Sequence, residues 1–100
     1  MKRKYSDSTL FKKKVSKLKG QDLFNVMNKV DEVLTCLDIN HYKNLKYDFK
    51  KYKRVHVNDS YVILFFGEGG RVYFVDYEHH DKIYKYDKKQ LKKYDNLKFD

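Results

Sequence analysis

The segment that most constrains the fold is residues 61–66, where six apolar or aromatic side chains follow one another without a polar interruption. A short run of this kind is typical of a β-strand that is covered on both faces. Residues 52–57 and 71–77 flank this run and alternate between apolar and polar side chains, as half-buried strands do. Polar residues at 58–60 and the glycines of 67–70 separate the segments, as tight hairpin turns require. The sequence therefore predicts a three-strand antiparallel meander.

The alternation also predicts which side chains share a face of the meander. In the first strand, Arg54 and His56 are two residues apart and lie on the same face, opposite the two valines of that strand. In the third strand, Val72 and Phe74 share one face. The opposite face of the third strand carries Arg71, Tyr73, Val75 and Tyr77. One face of the first strand therefore presents a guanidinium beside an imidazole.

Two amphipathic helices are predicted before the meander. The polar cluster at residues 6–8 supplies an N-cap for the first helix, Gly20 ends it, and Asp22 caps the second. The apolar positions of the first helix are Leu10, Phe11, Val15 and Leu18. The apolar seam of the second helix consists of Leu23, Met27, Val30, Leu34 and Leu37, widened by Phe24 and Val33. Two helices with so short a link are expected to form an antiparallel hairpin.

These elements predict an α+β fold in which an N-terminal antiparallel helix hairpin packs on a small, mainly antiparallel sheet of three to four strands. We expect residues 1–100 to form one domain, because a chain of this length has little room for a second core. A connector anchored by Leu45 and Phe49 leads into the meander. Residues 1–5 are either a short strand or a frayed arm, and residues 87–100 are either a short helix laid on the sheet or a tail.

The composition limits the classes of site and of compartment. Cys36 is the only cysteine, so a disulfide framework and a cysteine-ligated zinc site are both excluded. No apolar segment is long enough to cross a bilayer, and the charged N-terminus lacks the core of a signal peptide. We therefore expect a cytoplasmic protein without a membrane partner.

Positive charge is large and unevenly placed. The formal net charge is +9; residues 1–19 carry eight Lys or Arg against one acid, and residues 43–54 carry six against one. All 17 aromatic residues are Tyr or Phe, and many lie beside lysines. A basic, tyrosine-rich surface suits a polyanion, and nucleic acid is the commonest polyanion. The alternative is a lysine-rich surface that serves only to solvate the protein.

An ordered set of features resembles one known family. The set comprises the helical segment 11–18, the basic stretch 45–57, the apolar strand 61–66 and the closing segment 77–84, in which two histidines precede a tyrosine. Together they resemble the RelE/ParE superfamily of type II toxin–antitoxin toxins, in particular the RelE-like mRNA interferases. The resemblance implies cleavage of mRNA in the ribosomal A site, without metal or other cofactor, by attack of the ribose 2′-OH on the adjacent phosphate. It also implies a cognate antitoxin protein as partner.

The resemblance implies roles for individual residues. The catalytic residues that it implies are Lys53, Arg54, His56, His79, His80 and Tyr84. The first three fall where the family places cations on its first meander strand, His79 or His80 falls where some members have the general acid, and Tyr84 matches the terminal tyrosine. The predicted RNA-binding residues are Lys46, Lys50, Lys51, Arg71 and Tyr77.

The chemistry of such a cleavage suits these residue types. A base must take the 2′-OH proton, positive charge must stabilise the pentacoordinate phosphorane, and an acid must protonate the 5′ leaving oxygen. Imidazole titrates near neutral pH and serves as acid or base, and guanidinium grips phosphate in a bidentate manner. Tyr77, Tyr84 or Tyr86 can stack on an extruded base. If the third strand lies beside the central one, the chain after Tyr77 brings His79 and His80 to the sheet end that carries the first strand's imidazole.

Three alternatives remain open from the sequence. A ParE-like toxin has the same fold but poisons DNA gyrase, which requires no acid–base pair. A non-catalytic nucleic-acid-binding module is the second alternative, because Val62 follows Tyr61 where many RelE-like members have a basic residue. A metal site at residues 79–81 is the third, and it is disfavoured because adjacent histidines on an extended chain point in opposite directions.

Overall fold

The computed structural model describes residues 2–100. In chain order the strands and helices are β1 (Lys4–Asp7), α1 (Thr9–Val15), α2 (Gly20–Thr35), β2 (Lys53–His56), β3 (Tyr61–Glu68), β4 (Arg71–His79), α3 (His80–Ile83) and α4 (Lys88–Asp95). Two 3₁₀ helices, at Ile39–His41 and Tyr47–Phe49, lie in the connector between α2 and β2. The four strands form one sheet in the order β1-β4-β3-β2.

The predicted meander is confirmed. β2 pairs with β3 and β3 pairs with β4, in both cases antiparallel. Gly69 and Gly70 connect β3 to β4 with φ angles of 58° and 77°. A two-residue type I′ hairpin turn needs positive φ at both positions, and glycine adopts such angles without a steric penalty.

The central strand β3 is covered on both faces, as its apolar run predicts. Four successive residues are 0% exposed: Val62, Ile63, Leu64 and Phe65. Ile63 and Phe65 belong to a core cluster with α1 and α2, whereas Val62 and Leu64 belong to a second cluster with the connector, α3 and α4. The sheet is therefore the middle of three layers.

The predicted N-terminal helix hairpin is wrong, because a strand comes first. β1 precedes α1 and pairs in parallel with β4, so the sheet is mixed. Ser8 caps α1 by accepting a hydrogen bond from the N–H of Phe11 at 2.9 Å, and the Phe11 ring stacks on Phe74 of β4 at 5.6 Å. A four-residue alternation is too short to reveal pairing with a strand so far along the chain, and this is why the sequence left residues 1–5 undecided.

The buried stripe of α2 also differs from the predicted seam. Its buried residues are Val26, Val30, Val33 and Leu34. Phe24 and Met27 are 59% and 46% exposed, and Leu37, beyond the end of the helix, is fully exposed. Apolar residues cover more than one face of this helix, so their spacing alone does not decide which face meets the sheet.

A β-bulge changes the faces that alternation predicts for β4. Phe74 and Asp76 pair with consecutive residues of β3, and Val75 between them has no partner in that strand. One extra residue reverses the alternation, so Tyr77 lies in the helix-side core with Phe74 rather than on the face of Tyr73 and Val75. The bulge therefore buries a tyrosine that the sequence placed on the other face.

A buried ionic cluster ties three elements to one another. Asp76 of β4 is 0% exposed, and its carboxylate lies 2.7 Å from Nζ of Lys14 in α1. The Tyr94 hydroxyl of α4 donates to Asp76 Oδ2 at 2.6 Å, and Lys14 also contacts Glu78 at 2.9 Å. Burial raises the pKa of Asp76, and the Lys14 and Tyr94 bonds offset part of that increase.

Two other segments fit the predictions made for them, whereas Gly20, predicted to end the first helix, instead begins α2. Leu45 and Phe49 are buried and anchor the connector against the sheet. Of the two forms predicted for residues 87–100, the structure has the helix, α4, which lies over the sheet. Among residues 2–100, no helix combines the length and apolarity needed to span a membrane.

Replacement of Tyr94 by Phe tests the buried cluster. The variant loses a hydrogen bond to a buried carboxylate, and we expect its free energy of unfolding to fall by about 1.5–3 kcal/mol. Urea denaturation followed by circular dichroism measures this change. Tyr5→Phe, at a residue that is 49% exposed, is the matched control and should change stability by less than about 0.5 kcal/mol. Equal losses in the two variants would contradict the assignment.

Candidate functional site

The sheet brings the ends of β2 and β4 to one place. His56 pairs with Val62 of β3, and Val62 pairs with Glu78 of β4. His56 is the last residue of β2 and His79 is the last residue of β4. Two histidines from distant segments therefore lie at the same end of the sheet.

A strand-to-helix turn then places the second histidine of the pair. The His79 Nδ1 caps α3 by accepting a hydrogen bond from the N–H of Asp81 at 3.2 Å. The N–H of His80 donates to the carbonyl of Ser60 at 2.8 Å, which fixes α3 against the β2–β3 turn. The two imidazole rings lie 4.7 Å apart, because the chain turns between them instead of continuing as a strand. The expectation that they point in opposite directions is wrong.

Arg54 and Tyr84 connect these histidines into one group. The Arg54 Nη1 lies 3.3 Å from His56 Nδ1, and its guanidinium carbon lies 5.4 Å from the centroid of the Tyr84 ring. The Tyr84 ring is in turn 5.9 Å from the His80 ring, one helical turn earlier. We call this group, Arg54, His56, His79, His80 and Tyr84, the histidine corner. Five of the six predicted catalytic residues lie in it.

The surroundings of His56 favour its neutral form. Partial burial lowers the pKa of His56, and the positive charges of Arg54 and His80 lower it further. A guanidinium can only donate hydrogen bonds, so the His56 Nδ1 that faces Arg54 must be the acceptor. A neutral imidazole at this position is suited to accept a proton near neutral pH.

His80 has the opposite kind of neighbour. Its Nδ1 lies 2.9 Å from a carboxylate oxygen of Asp81. The donor atoms of His79, His80 and Asp81 lie within 4.8 Å of one another. Each histidine bonds to Asp81 through Nδ1, His79 to the backbone N–H and His80 to the carboxylate.

Lys53 is the predicted catalytic residue that the structure does not bring to the corner. It is 8% exposed, and its Nζ donates to Asn44 Oδ1 at 2.8 Å. The physical reason is the strand period: Lys53 precedes Arg54 by one residue and so points to the opposite face of β2. Its charge is turned away from the imidazoles.

A cleft of about 690 Å³ opens beside the histidine corner and shares two residues with it. We call it the tyrosine cleft. Its lining consists of Lys43, Asn44, Lys46, Tyr47, Arg54, Tyr84, Lys85 and Tyr86. Four of these eight side chains are cationic and three are tyrosines, which is the composition expected for a surface that binds single-stranded nucleic acid.

Of the predicted RNA-binding residues, Lys46 lies in this cleft. Lys50 and Lys51 do not line it, and the Lys51 Nζ lies over the Phe66 ring at 4.3 Å. Arg71 is at the other end of β4, where it donates to the carbonyl of Tyr5 at 2.9 Å. A lysine run in the sequence does not show which of its members face the cleft.

Tyr77, also predicted to bind RNA, is buried in the helix-side core. Its ring stacks on that of Tyr61 at 4.9 Å, so it has no free face for a base. Conversely, Lys43, Tyr47 and Lys85 line the cleft and were not predicted. The available signal was the interleaving of lysine with tyrosine, which predicted a stacking role for Tyr84 or Tyr86 but was read only as general basicity in the connector.

Comparison with known proteins identifies the family. A curated protein of Methanocaldococcus jannaschii, named "Putative toxin RelE4", is 39% identical over 80 residues, which cover 78% of this chain and 81% of that protein. The chain belongs to the RelE family of toxins. A protein of Methanosarcina mazei is 38% identical to this chain over 73 residues, which cover 71% of this chain and 83% of that protein. No protein-family model matches the chain.

Two solved structures share the fold of the toxin. A copper-bound mutant toxin from Helicobacter pylori aligns with 81% of this chain and 98% of its own, at a TM-score of 0.56 and 14% identity. The solution structure of the conserved protein HP0894 from Helicobacter pylori aligns with 79% of this chain and 96% of its own, at a TM-score of 0.55 and 13% identity. At these identities the comparison establishes the α+β fold.

Arg54→Gln tests the electrostatics of the histidine corner. The substitution removes a positive charge beside His56, so the pKa of His56 should rise, although burial and His80 continue to lower it. The measurement is an NMR titration of the ring Cε1–Hε1 signals of the toxin. Lys51→Gln, which removes a charge outside the corner, is the control and should leave the His56 titration unchanged. An unchanged or lower pKa in Arg54→Gln would show that the two side chains do not interact.

Proposed function

We propose that the toxin is a ribosome-dependent mRNA endonuclease that cleaves by attack of the ribose 2′-OH on the adjacent phosphate, without a metal. The observation that carries the proposal is the histidine corner: a guanidinium lies between an imidazole and a tyrosine, next to further imidazoles and beside a cationic cleft. Base, acid and phosphate-binding charge are the three requirements of this reaction.

His56 acts as the general base in this proposal. Its lowered pKa keeps the ring neutral near pH 7, and its Nδ1 lone pair faces Arg54 at 3.3 Å. A bound phosphate competes for the guanidinium, and Arg54 then turns from Nδ1 to the phosphate oxygens. The freed lone pair accepts the proton of the 2′-OH while Arg54 stabilises the charge of the phosphorane.

His80 acts as the general acid. The Asp81 carboxylate, 2.9 Å from Nδ1, accepts a hydrogen bond from Nδ1–H and leaves Nε2–H to protonate the 5′ leaving oxygen. The two histidines thus have environments of opposite sign, cationic around His56 and anionic beside His80, which is the arrangement expected of an acid–base pair. We place the reaction in the cytoplasm, on mRNA held by the ribosome.

We further propose that an acidic antitoxin neutralises the toxin. Three of the exposed large apolar side chains belong to β1 and α2: Tyr5 on the edge strand β1, and Phe24 and Met27 on α2. Tyr5 and Met27 line a common groove that Lys2 and Lys4 flank. A partner with an apolar stripe and acidic flanks would cover this surface, and complementary charge would speed its association.

The proposal is tested by translating an mRNA in vitro with the purified toxin and mapping the ends by primer extension. We expect cuts within codons. His56→Ala and His80→Ala should each slow single-turnover cleavage by about 10²–10⁴-fold, the usual contribution of a general base or acid. The rate of the unsubstituted toxin should rise as pH increases through the lowered pKa of His56, and this limb should vanish in His56→Ala.

His41→Ala provides the matched control, because His41 is exposed and lies outside the corner. Its rate should equal that of the unsubstituted toxin. A supercoiling assay with DNA gyrase is run in parallel. Gyrase-linked DNA breaks without RNA cuts would replace the proposal with a gyrase poison, and silence in both assays would leave a non-catalytic binding module.

A further inference from the structure

Two strained tyrosines meet in the tyrosine cleft. Tyr47 and Tyr86 have φ angles of 60° and 52°, and within residues 2–100 they are the non-glycine residues with positive φ. This left-handed conformation costs an ordinary residue about 1–2 kcal/mol. The two rings contact each other edge to face, with centroids 5.2 Å apart. Strain of this kind concentrates at sites that clamp a ligand.

The loops that carry the two tyrosines are fastened together. The Tyr86 hydroxyl accepts a hydrogen bond from the N–H of Lys46 at 3.3 Å, and the Phe49 ring packs against the Tyr86 ring at 5.5 Å. Tyr86 is thereby held by the connector, whereas the Tyr47 side chain remains open: this residue is 73% exposed. The cleft therefore presents the exposed ring of Tyr47, which rests against the ring of Tyr86, and Tyr86 is held in place.

The charged side chains that line the tyrosine cleft are all positive, whereas Asp48 lines a separate pocket that shares Tyr47 and Tyr86. Lys43, Lys46, Lys85 and Arg54 line the cleft, and among the described residues no carboxylate does. The Tyr84 hydroxyl is buried and has no hydrogen-bond partner among residues 2–100. An aromatic platform, several cations and an unused donor together match an unpaired nucleotide, whose base has a π-face and whose phosphates are anionic.

We propose that the tyrosine cleft is a nucleobase subsite, in which the nucleotide next to the scissile phosphate stacks its unpaired base on Tyr47 while Lys43 and Lys85 hold the flanking phosphates. The position of the subsite relative to cleavage rests on the proposed function, because the subsite adjoins the corner through Arg54 and Tyr84. Stacking on an aromatic ring tolerates every base, so the subsite contributes affinity and register more than sequence preference. A duplex does not fit, since its bases already stack on each other.

The test measures binding of a 2′-O-methyl trinucleotide, which lacks the attacking hydroxyl and is therefore not cleaved, by NMR titration of the toxin. Tyr47→Ala should weaken binding about tenfold, and Tyr47→Phe should leave it within about twofold because the ring is retained. A trinucleotide with an abasic residue at the stacked position should bind the unsubstituted toxin about tenfold more weakly than the complete trinucleotide does. In Lys43→Gln, the slope of log affinity against log salt should decrease by about 0.7, the value for one phosphate contact with a single strand.

Two variants separate loss of the ring from a change in folding. Tyr47→Gly removes the ring but adopts the left-handed conformation freely, so it should fold and still bind as weakly as Tyr47→Ala. Tyr5→Ala removes an exposed tyrosine from the far edge of the sheet and should bind normally. Unchanged binding in Tyr47→Ala, an equal loss in Tyr5→Ala, or undiminished binding of the abasic trinucleotide would each overturn the subsite.

The subsite and the nuclease fail in different experiments. Trinucleotide binding that depends on Tyr47, together with no cleavage of mRNA, would sustain the subsite and reject the nuclease. If Tyr47→Ala cleaves mRNA as fast as the unsubstituted toxin and the trinucleotide does not bind, the nuclease is sustained and the subsite is rejected. If an acidic peptide binds the cleft and the trinucleotide does not, the cleft is a protein-binding surface and the subsite is rejected.

Discussion

The structure depends on the burial of β3 from both sides. A strand with apolar residues on both faces needs a layer on each, and the chain supplies α1 and α2 on one side and α3, α4 and the connector on the other. Because β3 is fixed between the two layers, β2 and β4 each pair with it in a single register. That register carries His56 and His79 to one end of the sheet, so the packing of the core also assembles the histidine corner.

The layers are joined at a buried charge. Asp76 sits at 0% exposure in β4, where Lys14 comes from one layer and Tyr94 from the other. A buried carboxylate contributes little net stability, but breaking one of its bonds leaves a charge unpaired, so the cluster favours a single arrangement of α1 and α4 around the sheet. The adjacent Glu78 shares Lys14, which links the same cluster to the residue before His79. The histidine corner thus begins directly after the segment of β4 that this cluster holds.

The functional surface itself lies where regular structure ends. The corner forms at the turn from β4 into α3, and the tyrosine cleft forms between two loops whose tyrosines, Tyr47 and Tyr86, have left-handed backbones. Rigid elements set the distances and irregular segments aim the side chains. The assignment of the chain to the RelE toxins fits this division, because the shared fold supplies the scaffold and the residues of these turns supply the proposed chemistry.

The sequence by itself determined what depends on near neighbours: the three meander strands, the shared face of Arg54 and His56, and the two-glycine turn, because strand period and turn geometry are local. Only the tertiary structure decided the parallel pairing of β1, the buried face of α2 and the bulge that turned Tyr77 inward. It also decided which lysines face the cleft. Those outcomes depend on contacts between segments far apart in the chain, for which a local pattern carries no information.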